Sequence, residues 1–112
     1  MNDKEIILIE NFEEYFNLGT EAFKKEKYNT ATTLFFKAIV ALCDLYILRK
    51  ENVVPSSHTN RFRTLENKYP ELYKIADRDF PFYQDSYTKR MDHETAKLLK
   101  EDVETLKKIL GF

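Results

Sequence analysis

At 112 residues, with 43% hydrophobic and 33% charged side chains, the chain can fill one core and wet its surface but cannot support two domains. Two glycines and three prolines suit long helices better than a many-turned sheet, and the single cysteine, Cys43, excludes an internal disulfide or a multi-cysteine metal cluster. A formal net charge of -1 leaves no global basic field for nucleic acid. Locally, residues 1 to 30 carry four basic against seven acidic groups and residues 49 to 91 nine basic against six acidic, a tilt that solvated helix faces explain.

Taken in chain order, the first helix is expected from about Asp3 to Glu26. Leu8, Phe12, Tyr15, Phe16, Gly19, Ala22 and Phe23 keep a helical period, with Glu10, Glu13, Glu14, Glu21, Lys24 and Lys25 opposite. Gly19 costs about 1 kcal/mol against alanine inside a helix, which a close helix crossing at that point would explain. Tyr28 and Asn29 make the turn, with Asn29 or Thr30 as N-cap of the next helix. That helix, Thr30 to Lys50, is the centre of the molecule. Its apolar residues Ala31, Leu34, Phe35, Ala38, Ile39, Ala41, Leu42, Leu45, Tyr46 and Leu48 cover two adjoining faces, and only Lys37 and Asp44 are charged between them.

After a linker ending in Pro55, Ser56 or Ser57 caps a helix whose Phe62 and Leu65 face inward while Arg61, Arg63 and Glu66 stay wet. Tyr69-Pro70 breaks it, and Pro70 opens a short helix carrying Leu72, Tyr73, Ile75 and Ala76 up to a second break at Phe80-Pro81. Phe80, Phe82, Tyr83 and Tyr87 cluster around that break, where another short helix is expected. The last helix starts with Asp92 as N-cap, carries the stripe Ala96, Leu99, Val103, Leu106 and Leu110, and stops at Gly111. No stretch reaches the roughly 20 apolar residues of a membrane span, and the apolar run Ile6 to Ile9 is flanked by acids without a signal-peptide pattern. No membrane association and a cytoplasmic location are the default expectations.

Two resemblances follow from particular residues. Tyr15, Leu18, Gly19, Ala22, Ala31, Phe35 and Ala38 resemble the leading positions of one tetratricopeptide repeat. Cys43 stands where that motif ends in proline, and nothing similar recurs about 34 residues later. A long N-terminal hairpin, the run from Ala31 through Lys37-Ala38 to Leu45, then Pro55-Ser56-Ser57-His58, Leu65 and a capped last helix together resemble the HEPN superfamily over roughly residues 12 to 110. That likeness implies an all-α, up-and-down bundle of four to five helices forming a single domain over residues 1 to 112. It also implies a homodimer and a nucleotidyltransferase partner protein in a toxin-antitoxin pair.

Many HEPN proteins are metal-independent RNases with an arginine and a histidine separated by four to six residues. A histidine near its ordinary pKa can move protons while an arginine holds phosphate. The motif is absent here: Val53, Asn52 and Glu51 occupy the arginine positions ahead of His58, and Thr88, Tyr87 and Ser86 those ahead of His93. His58, with Arg61 one turn on, is either part of an anion-binding helix start or a residue that caps a helix or packs against the hairpin. His93, in the first turn of the last helix, is expected to be exposed and structural, and Arg90 makes no catalytic pair with it across the helix start at Met91-Asp92. Tyr83, Tyr87, Lys89 and Arg90 mix rings and cations that could stack bases and hold phosphate. Two glycines exclude a phosphate loop, and no histidine, cysteine and acid cluster predicts a metal or cofactor site.

The expectation from sequence is therefore a non-catalytic, dimeric interaction module, binding a protein partner, RNA or a nucleotide-like ligand. Its candidate ligand residues are Arg49, His58, Arg61, Tyr83, Tyr87 and Arg90, with no catalytic or metal-binding residue. A diverged RNase using His58 and Arg61 from two subunits and a peptide-binding adaptor built on the repeat-like hairpin are the alternatives. Nine phenylalanines and seven tyrosines in so small a chain suggest apolar surface left over for a second copy.

Overall fold

The computed structural model describes residues 2 to 112, and these form five helices and no strand: α1 Asp3–Lys24, α2 Tyr28–Glu51, α3 His58–Lys68, α4 Pro70–Asp85 and α5 His93–Leu110. The all-α bundle expected from the sequence is the observed fold. At its centre is α2, packed against α1, α4 and α5, while α3 lies on α4. Phe35, Ala38, Ile39, Leu42, Cys43 and Leu45 are all fully buried. Burying each large side chain of this kind contributes about 1.5 to 3 kcal/mol.

By length and a mean hydropathy of 1.8, α2 could cross a membrane, contrary to the sequence reading, but 72% of that window is buried inside the protein. Its apolar residues face α1, α4 and α5, as those of a core helix do. The inner face of the repeat-like hairpin is covered as well: Phe12, Ala22, Ala31, Phe35 and Ala38 are buried, and Phe112 at the chain's end lies 5.6 Å from Phe12, ring to ring. That leaves no concave peptide groove between α1 and α2.

Local chemistry sets the helix ends. Asn2 accepts a hydrogen bond from the Glu5 amide to start α1, and Ser57 and Asp92 do the same for α3 and α5 through the Asn60 and Thr95 amides. Gly111, at φ 88°, ends α5 in the left-handed region. Gly19 sits where α1 crosses α2, and a Cβ there would lie 2.8 Å from the Phe35 ring and 3.3 Å from Leu34 Cβ. The close crossing that this glycine predicts is present.

Three expectations change. The α1–α2 turn comes earlier than predicted: Glu26 takes φ 60°, its amide bonds the Phe23 carbonyl, the Lys27 amide bonds that of Ala22, and α2 starts at Tyr28. Neither Asn29 nor Thr30 caps α2. Asn29 instead reaches across the fold, Nδ2 donating to the Ser86 and Lys89 carbonyls and Oδ1 accepting from the Met91 amide.

Pro81 does not break a helix, because α4 runs through it to Asp85. A proline inside a helix costs about 3 kcal/mol by removing one donor and crowding the previous turn. The carbonyl that loses its donor belongs to Asp77, an exposed residue that water can reach. Phe80 and Tyr83, on either side of the proline, pack on Phe36 at 5.8 and 4.8 Å, and Phe80 also meets Phe62 at 5.3 Å. Those contacts are made only if the helix continues.

Finally, Arg61 is buried rather than wet, at 9% exposure. Among the phenylalanines and tyrosines only Tyr87 and Phe112 are exposed. The fold thus takes up most of the aromatic surface that the sequence suggests is left for a second copy.

Candidate functional site

Asp44 is the one acid in the apolar heart of α2, and a buried carboxylate must find a cation. It finds Arg61 on α3. Nε and Nη2 of the guanidinium donate to Oδ1 and Oδ2 at 2.7 and 2.9 Å, a two-pronged pair between side chains 11% and 8% exposed. The register of α3 makes this possible, since His58, Arg61, Phe62 and Leu65 fall on one helical face. The third prong, Nη1, lies 2.9 Å from His58 Nδ1. Arginine can only donate, so Nδ1 accepts and the imidazole proton sits on Nε2.

This chain of contacts forms one wall of a cleft of about 250 Å³. From α1 come Leu8, Asn11 and Tyr15, from α2 Phe36, Lys37, Val40, Ala41 and Asp44, from α3 His58 and Arg61, and from α4 Tyr83. Leu8, Phe36, Val40 and Ala41 supply apolar surface, while Asn11, Tyr15, Lys37, His58 and Tyr83 supply polar atoms. Such a mixture of apolar lining and a few convergent polar groups is what small-molecule sites use, although this cleft is smaller than most of them.

The charges are unequal. Partial desolvation of this largely exposed ring, then the nearby positive charge of Arg61, hold the His58 pKa below the usual histidine value, with Lys37 acting in the same direction and Asp44 against it. The imidazole is neutral at neutral pH. Tyr83 is a neutral phenol as well: its hydroxyl shares a 2.8 Å hydrogen bond with that of Tyr87, which together with burial pushes its pKa up to about 12. Lys37, whose ammonium lies 6.0 Å from the centre of the Tyr15 ring, has no ion-pair partner among the described residues.

Of the six candidate ligand residues, the structure brings four together. His58, Arg61 and Tyr83 line the cleft, and Tyr87 adjoins it through Tyr83. Arg49 does not belong with them. It sits near the end of α5, 3.4 Å from the Leu110 carbonyl, over the Phe112 ring and 3.6 Å from Glu5. Arg90 is at the opposite loop, beside Glu26, Tyr28, Asn29 and Met91. Charge alone does not decide which end of a bundle a side chain occupies.

Sequence reasoning missed Asp44, Lys37 and Tyr15 as site residues. The two charges interrupting an apolar stretch were the available signal, because each needs a polar reason to be there. His93 is half exposed and structural, packed 5.0 Å from Phe23 and edge-on to Tyr28. Burial pushes the Cys43 thiol up to about 12, with Asp44 adding to the rise, so it is a core residue and not a nucleophile. No group of three or more histidine, cysteine or acidic side chains gathers among the described residues.

Comparison with known proteins finds no family model, no curated protein and no solved structure that matches the chain, and the likeness to the HEPN superfamily rests on the residues quoted for it above.

Proposed function

We propose that the protein is a non-catalytic helical binding module, HEPN-like in build, that takes a nucleotide-like ligand or a group on a partner protein in the cleft between α1, α2, α3 and α4. The observation that carries this reading is the hydrogen bond from Arg61 Nη1 to His58 Nδ1. A general base needs a free lone pair within reach of the proton it removes. The His58 lone pair is already occupied, and three of the five N–H groups of Arg61 are engaged by Asp44 and His58. The rest of the lining, Asn11, Tyr15, Lys37 and Tyr83 beside apolar neighbours, is suited to holding a ligand.

Purified protein incubated with single-stranded RNA is expected to leave it intact. Cleavage that disappears in His58→Ala would overturn the reading and favour a diverged RNase. A nucleoside added to isotope-labelled protein is expected to move the resonances of Phe36, Val40 and Tyr83, and shifts confined to another face would remove the cleft from consideration.

The homodimer, the nucleotidyltransferase partner in a toxin-antitoxin pair and the cytoplasmic location belong to the same proposal and are supported by the HEPN likeness alone. Sedimentation at micromolar concentration tests the dimer, and a 13.4 kDa species alone removes it.

A further inference from the structure

We infer that the cleft is selective for a small aromatic anion, a single flat ring bearing one carboxylate or one phosphate group, with Lys37 Nζ and His58 Nε2 as the oxyanion subsite. This rests on the reading of the cleft as the binding site and adds what the ligand must carry. Six ionisable groups line the cleft: Lys37, Arg61, His58, Asp44 and the phenols Tyr15 and Tyr83. The only carboxylate among them is matched to the only guanidinium by two short hydrogen bonds, which leaves the Lys37 ammonium without a counter-charge.

Lys37, a half-buried residue on the cleft wall with Tyr15, Phe36 and Val40, has its ammonium 6.0 Å from the Tyr15 ring centre and is left to pair with an incoming anion. The His58 tautomer adds to this: with Nδ1 held by Arg61, the ring offers Nε2–H as a donor and has no acceptor left with which to repel an oxyanion. The rest of the lining is ring and aliphatic surface, and about 250 Å³ is smaller than the roughly 300 to 1,000 Å³ of drug-sized sites. One ring and one charged group fit that volume.

The test uses the full chain, labelled for NMR, and three probes of equal ring size: phenyl phosphate, benzoate and uncharged benzyl alcohol. The two anions are expected to bind at least tenfold more tightly than the alcohol, and the tighter of the two identifies a phosphate or a carboxylate source. Binding should raise the apparent pKa of His58, because a nearby negative charge favours the imidazolium, and leave His93, the only other histidine, unmoved. Lys37→Met, which keeps the aliphatic stem, should abolish the preference for anions, and Lys37→Arg should restore it.

Equal binding of alcohol and anions, or an anion preference that survives in Lys37→Met, overturns the oxyanion subsite while leaving the cleft as a binding site. If none of the three probes moves a cleft resonance, the subsite and the cleft reading fall together.

Discussion

Two ionic clusters are built into this bundle, and they solve the same problem differently. Between α2 and α3, one carboxylate, Asp44, meets one guanidinium, Arg61, through two hydrogen bonds, and the remaining prong goes to His58. Between α4 and α5, two buried carboxylates, Asp79 and Asp102, share the half-exposed Arg78, which reaches Asp102 at 2.6 Å and Asp79 at 3.3 Å. Asp79 is fully buried, and its Oδ2 has no conventional donor. Burial and the neighbouring Asp102 carboxyl push its pKa up to about 8, which favours the protonated acid at neutral pH. The first cluster is balanced in charge; the second is balanced only by a proton.

The largest expected effect comes from breaking the balanced pair. Arg61→Met strands Asp44 in the core and is expected to lower stability by about 3 to 5 kcal/mol. The double change Asp44→Leu with Arg61→Met should recover most of that loss. Urea unfolding of the wild type and the two variants checks both statements, and a small loss in Arg61→Met would mean that Asp44 is neutralised by something else.

The proton-balanced cluster predicts a pH dependence. The folded state holds a proton on Asp79 that the unfolded chain releases near pH 4. Its stabilising contribution is therefore complete below about pH 4, declines as pH rises towards the folded value of about 8 and is absent above it. In Asp79→Asn, whose amide stands in for the protonated acid, the decline should be flatter between those limits. A wild-type curve that rises with pH across the window would reverse the assignment.

A smaller effect sharpens the contrast. Thr32 Oγ1 is buried, like Asp79 Oδ2, without a hydrogen-bond partner among the described residues, but it cannot titrate into having one. Thr32→Val, which replaces that hydroxyl by a methyl of similar size, is expected to stabilise the protein by about 1 kcal/mol at every pH. Thermal unfolding at pH 5 and pH 8 would separate this uniform gain from the pH-dependent change at Asp79.

Much of the fold is legible in the sequence because its causes are local. The apolar spacing of α2, a serine cap at position 56 or 57, the cap Asp92, the stop at Gly111 and the close crossing at Gly19 each follow from a residue and its immediate neighbours, and the structure places the serine cap at Ser57. What escaped depends on partners in other helices. Arg61 reads as a wet arginine until Asp44 is set opposite it, Pro81 reads as a breaker until Phe36 and Phe62 anchor Phe80, and Asn29 reads as a cap until Ser86, Lys89 and Met91 arrive beside it. The site was half visible for the same reason. His58, Arg61 and Tyr83 were chosen on chemistry, but the charge that defines their cleft, Lys37, lay in a stretch whose hydrophobic period dominated the reading.

The carboxamide of Asn29 carries a further consequence. Residues 86 to 91 turn the chain from α4 into α5, and the side chains that reach this turn from the first hairpin are Asn29 and Thr33, 53 to 62 residues back along the chain. The hydrogen bonds that Asn29 and Thr33 make to the turn therefore depend on the first hairpin being docked against it across a long stretch of sequence. A change as slight as amide to acid at position 29 would put an acceptor where two carbonyls require a donor, releasing the joint between the two halves of the bundle while leaving the cleft walls contributed by α1, α2 and α3 standing.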